Sequence, residues 1–194
     1  MGKLSREFYL RDDVVQISRD LLGKELCTNM GGVVASGIIT ETEAYAGTDD
    51  RASHAFSNRR TNRTEVMFAE GGTAYVYLCY GIHHLFNVVC NYKDIPHAVL
   101  IRAIRPSTGI SAMLTRRNKK LADKTLSAGP GTLSQALGIK TSHSGLDLAG
   151  EKIWIEDSQI AVEEKAIFAG PRIGVDYAGA DAHLPYRFLW KPAF

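Results

Sequence analysis

The sequence predicts an α+β protein with a central, largely antiparallel sheet, flanking helices and a protruding β-hairpin. Two observations carry this prediction. Strand-like apolar runs follow one another across short turn signals, and only a few segments repeat apolar residues at helical spacing. No Pro/Gly/Ser-rich linker, internal repeat or low-complexity tract divides the 194 residues. We therefore expect one domain over residues 1–194.

The first half of the chain opens with a helix. Asp12 or Asp13 can cap it, and apolar residues recur at helical spacing up to a stop at Gly23 (Val14, Ile17, Leu21). The elements expected next are strands at 25–29 and 33–45 around a Gly31-Gly32 turn, a polar loop at 47–62, and a short helix at 64–69.

The second half begins with a hairpin. Residues 73–80 and 84–90 form two apolar runs on either side of Gly81, and apolar residues on both faces predict a central or covered position. Further elements are expected as a buried strand at 98–104, helices at 107–117 and 132–137, and short strands at 152–156 and 186–190.

The strand that ends at Tyr45 carries the first functional signal. Because side chains alternate along a strand, Ile39, Glu41, Glu43 and Tyr45 share one face, which changes from apolar to acidic to aromatic where the strand ends. A carboxylate beside an aromatic ring suits chemistry on a ringed substrate. A solvated strand face explains the same pattern.

Three polar residues stand in apolar surroundings: His54, Asn87 and Arg102. A buried amide or guanidinium is costly unless it finds partners. Each residue can be a satisfied core polar group, but their occurrence together with Glu43 and several tyrosines favours a shared site.

The charge balance is nearly neutral, with a formal net charge of +2, and does not by itself indicate a polyanion partner. Arg59, Arg60 and Arg63 cluster in one loop, and residues 116–120 form a second basic run. Either cluster can contact phosphates or form a solvated face.

The cysteines and the first residues bear on the cellular compartment that we expect. Cys27, Cys79 and Cys90 have no metal-type spacing and are expected to be reduced thiols, which fits a cytoplasmic, non-secreted protein. The first residues lack an apolar signal region, and no apolar run is long enough to span a bilayer. His83 and His84 have no third ligand at suitable spacing, so no metal is expected.

An ordered set of motifs resembles the alkyladenine (3-methyladenine) DNA glycosylase family. The set comprises Glu41-Thr42-Glu43-Ala44-Tyr45, then His54, Tyr75 to Gly81, Asn87 and Arg102, and later Ala128-Gly129-Pro130-Gly131, Gln135-Ala136-Leu137 and Arg172 to Tyr177. The resemblance runs with few gaps from Arg19 to Phe188. Over that length it is a strong signal, whereas Glu-x-Glu-Ala-Tyr alone is a weak one.

The resemblance implies an enzyme that flips an alkylated or deaminated purine out of duplex DNA and cuts it from its sugar without a cofactor. Glu43 would activate the attacking water and Arg102 would lie near that water. Tyr80 would be the wedge that fills the gap in the duplex. The base pocket would consist of Tyr45, His54, Tyr77 and Asn87.

The positions of the lysines indicate which nucleophile such an enzyme would use. A glycosylase that also cleaves the strand needs an amine for a Schiff base. Between Ile39 and Ala103 the only lysine is Lys93, in a polar loop. We therefore expect a monofunctional enzyme that uses water. Double-stranded DNA with damaged purines is the expected partner, and the protein is expected to act as a monomer.

Ile82, His83 and His84 depart from the family pattern beside the wedge, so the resemblance leaves the duplex contacts there open. Two other functions also stay open. Glu41 and Glu43 could serve a glycoside hydrolase, although carboxylates two apart on one strand are too parallel to flank a bond easily. A non-catalytic nucleic-acid-binding module on the same fold is the other. The sequence does not rank 3-methyladenine, 7-methylguanine, hypoxanthine and ethenoadenine as substrates.

Overall fold

The structure is a computed structural model that describes residues 2–191. Its sheet is built around one long strand. Strand β2 (Val33–Tyr45) pairs through its first half with β1 (Glu25–Met30), through its second half with β8 (Arg187–Trp190), and along its other side with β5 (His97–Thr108). The strands are β1 (Glu25–Met30), β2 (Val33–Tyr45), β3 (Ala74–Cys79), β4 (His83–Cys90), β5 (His97–Thr108), β6 (Ile153–Glu156), β7 (Ile167–Gly170) and β8 (Arg187–Trp190).

The sheet has the order β3-β4-β5-β2-β1-β6. Strand β8 pairs with β2 and β7 pairs with β8, and each of these strand pairs is antiparallel. The helices are α1 (Arg6–Tyr9), α2 (Val14–Asp20), α3 (Ile110–Arg117) and α4 (Pro130–Leu137). Apolar residues of α2, α4 and the sheet form the main core. The predicted α+β class with a central antiparallel sheet is therefore confirmed.

Several local expectations need correction. The helix predicted over 107–117 begins at Ile110, because Ser107 and Thr108 continue β5. The segment at 64–69 forms a 3-10 helix, Glu65–Phe68. Strand β3 lies at the edge of the sheet, with Leu78 exposed, so only β4 occupies a central position. The cap at Asp13 is confirmed, since its carboxylate accepts the Gln16 N–H, but the helix ends at Asp20.

A β-bulge interrupts the pairing of β2 with β5. Ile39 pairs with Ile104 and Thr42 with Ile101, while Thr40 and Arg102 are each left out of the register. An extra residue of this kind re-aims side chains locally. It lies where β2 changes from apolar to acidic.

Candidate active site

A cavity of about 400 Å³ opens beside the end of β2 and one face of the β3–β4 pair. Its volume lies in the usual range for small-molecule sites. The structure brings most of the predicted site residues to it: Tyr45, His54, Tyr77, Asn87 and Arg102, together with Tyr80 and Arg63. The lining also includes Tyr75, which the sequence analysis did not assign although it precedes Tyr77 by two residues and so shares its face.

Glu43 lies fully buried behind the wall of this cavity. The hydroxyl of Tyr45 donates to its Oε2 at 2.8 Å, and the backbone N–H of Ile173 donates to its Oε1 at 2.8 Å. Arg102 Nη1 lies 3.3 Å from the same Oε1. Tyr45, Ile173 and Arg102 all line the cavity, so the carboxylate is one side chain away from whatever occupies it.

Tyr45 is held as a hydrogen-bond donor. Burial, followed by the neighbouring Glu43 charge, raises the pKa of the Tyr45 hydroxyl well above its ordinary value. The phenol therefore stays protonated at neutral pH and keeps donating to Glu43.

Arg102 joins the two carboxylates of the β2 face. Its Nε lies 3.2 Å from Glu41 Oε1, and its Nη1 faces Glu43. Arg187 on β8 also donates to Glu41 Oε1, at 2.6 Å. Two carboxylates and two guanidiniums thus form one balanced network, and the bulge on β5 points Arg102 into it.

A buried ion pair supports the strand end from the other side. Arg172 donates through both terminal nitrogens to Asp50, and its side chain has no exposed surface. Arg172 Nη1 also donates to the Ala44 carbonyl at 2.9 Å. Because Ile173 follows Arg172 directly, this pair fixes the N–H that Glu43 accepts. No role for Asp50 and Arg172 follows from the sequence, since 122 positions separate them.

His54 is fixed in one neutral form. Arg63 can only donate, so the 3.2 Å contact with His54 Nε2 makes that nitrogen an acceptor. Nδ1 then carries the proton and donates to the Tyr75 hydroxyl at 3.0 Å. Burial, and after it the charges of Arg63 and Arg59, lower the pKa of His54 to about 4.

Asn87 is buried on β4 and has both of its N–H groups occupied. Its Nδ2 donates to the carbonyls of Tyr75 and Leu85, at 3.1 and 3.3 Å. This use of the donors fixes the amide against the cavity wall.

Tyr80 occupies the turn between β3 and β4 and is 87% exposed, in the left-handed backbone region with φ of 52°. Gly81 follows, also at positive φ, and Ile82 is exposed as well. Tyr80 therefore projects into solvent at the edge of the cavity, and Ile82 is exposed beside it on the turn.

The three arginines predicted to contact the DNA backbone differ in their surroundings. Arg63 contacts His54 and stacks over Tyr77, in the cavity wall. Arg59 lines an adjoining cavity of about 490 Å³ that also contains Arg51. Arg60 is bonded to both Glu65 and Asp94, so its charge is already compensated.

The described part of the chain contains no group of three His, Cys, Asp or Glu side chains arranged to hold a metal ion. Cys27, Cys79 and Cys90 are free thiols. Among residues 2–191, no helix is long and apolar enough to cross a membrane.

Comparison with known proteins identifies the family of this chain. The family description "Methylpurine-DNA glycosylase" matches residues 7–193. Proteins named "Putative 3-methyladenine DNA glycosylase" are similar over nearly full length. The Chlamydia felis protein is 46% identical over 187 residues, covering 96% of this chain and 95% of that protein. The Bacillus cereus protein is 45% identical over 192 residues, covering 94% and 93%.

These similarities place the chain among enzymes of the DNA glycosylase class. Within that class, the chain belongs to the methylpurine-DNA glycosylase family.

Proposed function

We propose that the protein is a monofunctional glycosylase of base excision repair that releases alkylated or deaminated purines from duplex DNA. The position of Glu43 carries the proposal, since its carboxylate lies directly behind Tyr45 and Arg102 in the cavity wall. A base inside a duplex cannot reach such a site, so the nucleotide must first swing out of the stack. The exposed Tyr80 is suited to fill the space it leaves.

In the proposed reaction, Glu43 takes a proton from a water molecule whose oxygen bonds to C1′ of the deoxyribose. The C1′–N9 bond breaks, and the base departs with its electron pair. Arg102 and the Ile173 N–H hold Glu43 in place while positive charge develops on the sugar. Oε2 of Glu43 accepts one hydrogen bond, from Tyr45, so it keeps a second lone pair that can take the proton of a water.

Stacking holds the extruded base between the rings of Tyr45, Tyr77 and His54. A guanidinium already lies against two of these rings, Arg172 at 4.9 Å from Tyr45 and Arg63 at 5.0 Å from Tyr77. The charge of Arg172 is paired with Asp50, but Arg63 still faces Tyr77, so a cationic base on that ring loses part of its cation–π attraction. Neutral lesions such as hypoxanthine therefore compete well with cationic ones such as 7-methylguanine.

Asn87 excludes normal guanine in this proposal. Because its donors are held by two backbone carbonyls, the amide cannot turn away from an incoming exocyclic amino group. Exclusion then depends on the space the side chain occupies.

Water is the nucleophile. None of the described residues that line the cavity is a lysine. Borohydride should therefore trap no protein–DNA complex, and the strand should remain intact after base loss. A trapped complex would contradict this part of the proposal.

The substrate is DNA and no second chain is needed, since one chain supplies every group around Glu43. The Glu41 carboxylate is bound by Arg102 and Arg187, which leaves no free carboxylate pair for a conventional glycoside hydrolase.

The deciding experiment incubates the protein with duplexes that carry 3-methyladenine, 7-methylguanine, hypoxanthine or ethenoadenine. We expect free bases and abasic DNA. Binding without release of any base would instead support a non-catalytic module.

A further inference from the structure

A third cavity, of about 650 Å³, lies on the other face of strand β4. Leu85 and Asn87 line the base cavity, whereas His84 lines this one. Neighbouring side chains point to opposite faces of a strand, so β4 separates the two cavities. The other wall comes from α3, α4 and the segment after α4, which contribute Arg116, Gln135 and Lys140.

The polar groups of this cavity are donors. His84 Nδ1 accepts the backbone N–H of Thr141 at 3.1 Å, so in the neutral ring Nε2 carries the proton. Arg116 uses one terminal nitrogen on the Ala136 carbonyl and keeps its other donors. Lys140 and His83 are exposed. None of the described residues that line the cavity is acidic.

Some residues of the basic run at 116–120 already have partners within the protein. Arg117 is bonded to the carbonyls of Leu126 and Thr125 and to Gln135, and Lys119 pairs with Asp123. Arg116 is the member of the run that lines the cavity. Met30, Ile82 and Ile139 add apolar surface to the lining. A lining that combines cationic donors with apolar side chains matches a phosphate joined to a sugar.

The position of the cavity indicates which of the two DNA strands it would contact. A hairpin tip placed in the minor groove has one DNA backbone on each side, because the groove is bounded by both strands. The flipped nucleotide enters the base cavity, so the lesion strand lies on that side of β4. The opposite face of the hairpin then meets the complementary strand.

We propose that the cavity lined by His84, Arg116 and Lys140 binds the sugar–phosphate backbone of the strand opposite the lesion. This inference rests on the proposed function, because it takes Tyr80 to be the wedge. It also gives Ile82, His83 and His84 a place in duplex binding.

The test measures DNA affinity against salt concentration in a Glu43→Gln background, with a lesion in duplex or in single-stranded DNA. Each lost phosphate contact lowers the slope of log K against log salt by about 0.9 on B-DNA. We expect that decrease for Lys140→Gln and for Arg116→Gln on duplex, and no change on the single strand. Lys165→Gln is the matched control, since Lys165 lines neither cavity.

Arg116→Gln also removes the bond to Ala136, so Lys140→Gln tests the proposal without that loss. An unchanged duplex slope for Lys140→Gln would overturn it. An equal decrease on single-stranded DNA would overturn the strand assignment, because the lesion strand would then occupy the cavity. Base release by the unmodified protein is scored separately. A parent protein that binds but releases no base would refute the glycosylase and leave the slopes readable.

Discussion

The buried carboxylate centre and the exposed hairpin turn form two contrasting ends of one site. Glu43 has no exposed surface, and donors hold both of its oxygens, whereas Tyr80 is 87% exposed. The contacts of the first region form when the chain folds, before any ligand binds, so the free energy needed to bury and orient its charges is supplied by folding. We expect the second to gain its contacts when DNA binds. Substitutions should therefore affect catalysis and stability at the centre, and duplex recognition at the turn.

The largest expected effect comes from Glu43→Gln. The amide keeps the size of the side chain but cannot take a proton from water, so base release should fall about 10²–10⁴-fold. DNA affinity should remain. Single-turnover release and a binding titration on hypoxanthine duplex measure the two quantities.

Glu41→Gln is the matched control on the same strand face, because Glu41 contacts Glu43 only through Arg102. Its loss of activity should be much smaller. Normal turnover by Glu43→Gln would show that Glu43 takes no part in the reaction. The contrast between the buried centre and the exposed turn would then fail.

Breaking the buried ion pair should test whether the centre depends on its support. Arg172→Met leaves Asp50 buried without its partner, so the free energy of unfolding should fall by about 3–5 kcal/mol. Denaturant titration measures the loss. The double variant Asp50→Leu/Arg172→Met should recover part of the stability but not the activity, since Ile173 is no longer fixed. Full activity in the double variant would show that the pair serves stability alone.

Tyr80→Ala should show the opposite pattern. Because the ring is exposed, thermal stability should stay unchanged. Release from duplex should fall about tenfold, since stacking of a side chain is worth roughly 1–3 kcal/mol per base. A single-stranded substrate needs no wedge, so base release from it should be unchanged. An equal loss on both substrates would place Tyr80 in the base pocket instead.

His54 makes the centre sensitive to acid. Its pKa of about 4 in the folded protein lies below the usual value near 6.5, so the unfolded chain binds the proton first. The stability contributed by neutral His54 is full above pH 6.5 and is lost as the pH falls towards 4. His54→Gln should lack this part of the decline. Melting temperatures of both proteins between pH 4 and 8 provide the test, and parallel curves would contradict it.

The smallest effect separates two adjacent arginines. Arg60 is bonded to Glu65 and Asp94, whereas Arg59 lines the basic cavity beside the base site. Arg59→Gln should lower the duplex salt slope by about 0.9, and Arg60→Gln by clearly less. Salt titrations of the two variants check this, and equal slopes would show that the acidic partners release Arg60 on binding.

The sequence supported the parts of the site that follow from local periodicity. Alternation along β2 placed Glu41, Glu43 and Tyr45 on one face, and the structure shows Glu41 and Glu43 sharing Arg102. The support from Asp50 and Arg172 could not be derived this way, because no spacing rule connects residues so far apart. The pairing of Arg60 likewise depends on a loop conformation that composition does not encode.

Boundaries failed where tertiary pairing overrides local preference. Ser107 and Thr108 look like the start of a helix, but pairing with β2 keeps Thr108 in the sheet opposite Ser36. The edge position of β3 was missed because its apolar run resembles a covered strand.

The bulge between β2 and β5 limits how this family can vary in length. Thr40 on β2 and Arg102 on β5 are unmatched around the bulge, and the ladder resumes in step beyond them. A further insertion or deletion in β2 next to the bulge would turn Glu43 toward the opposite side of the sheet, and one in β5 would do the same to Arg102, since a slip of one residue inverts the side chains of that strand. Evolutionary changes in length should therefore accumulate in the connecting loops and spare these two strands.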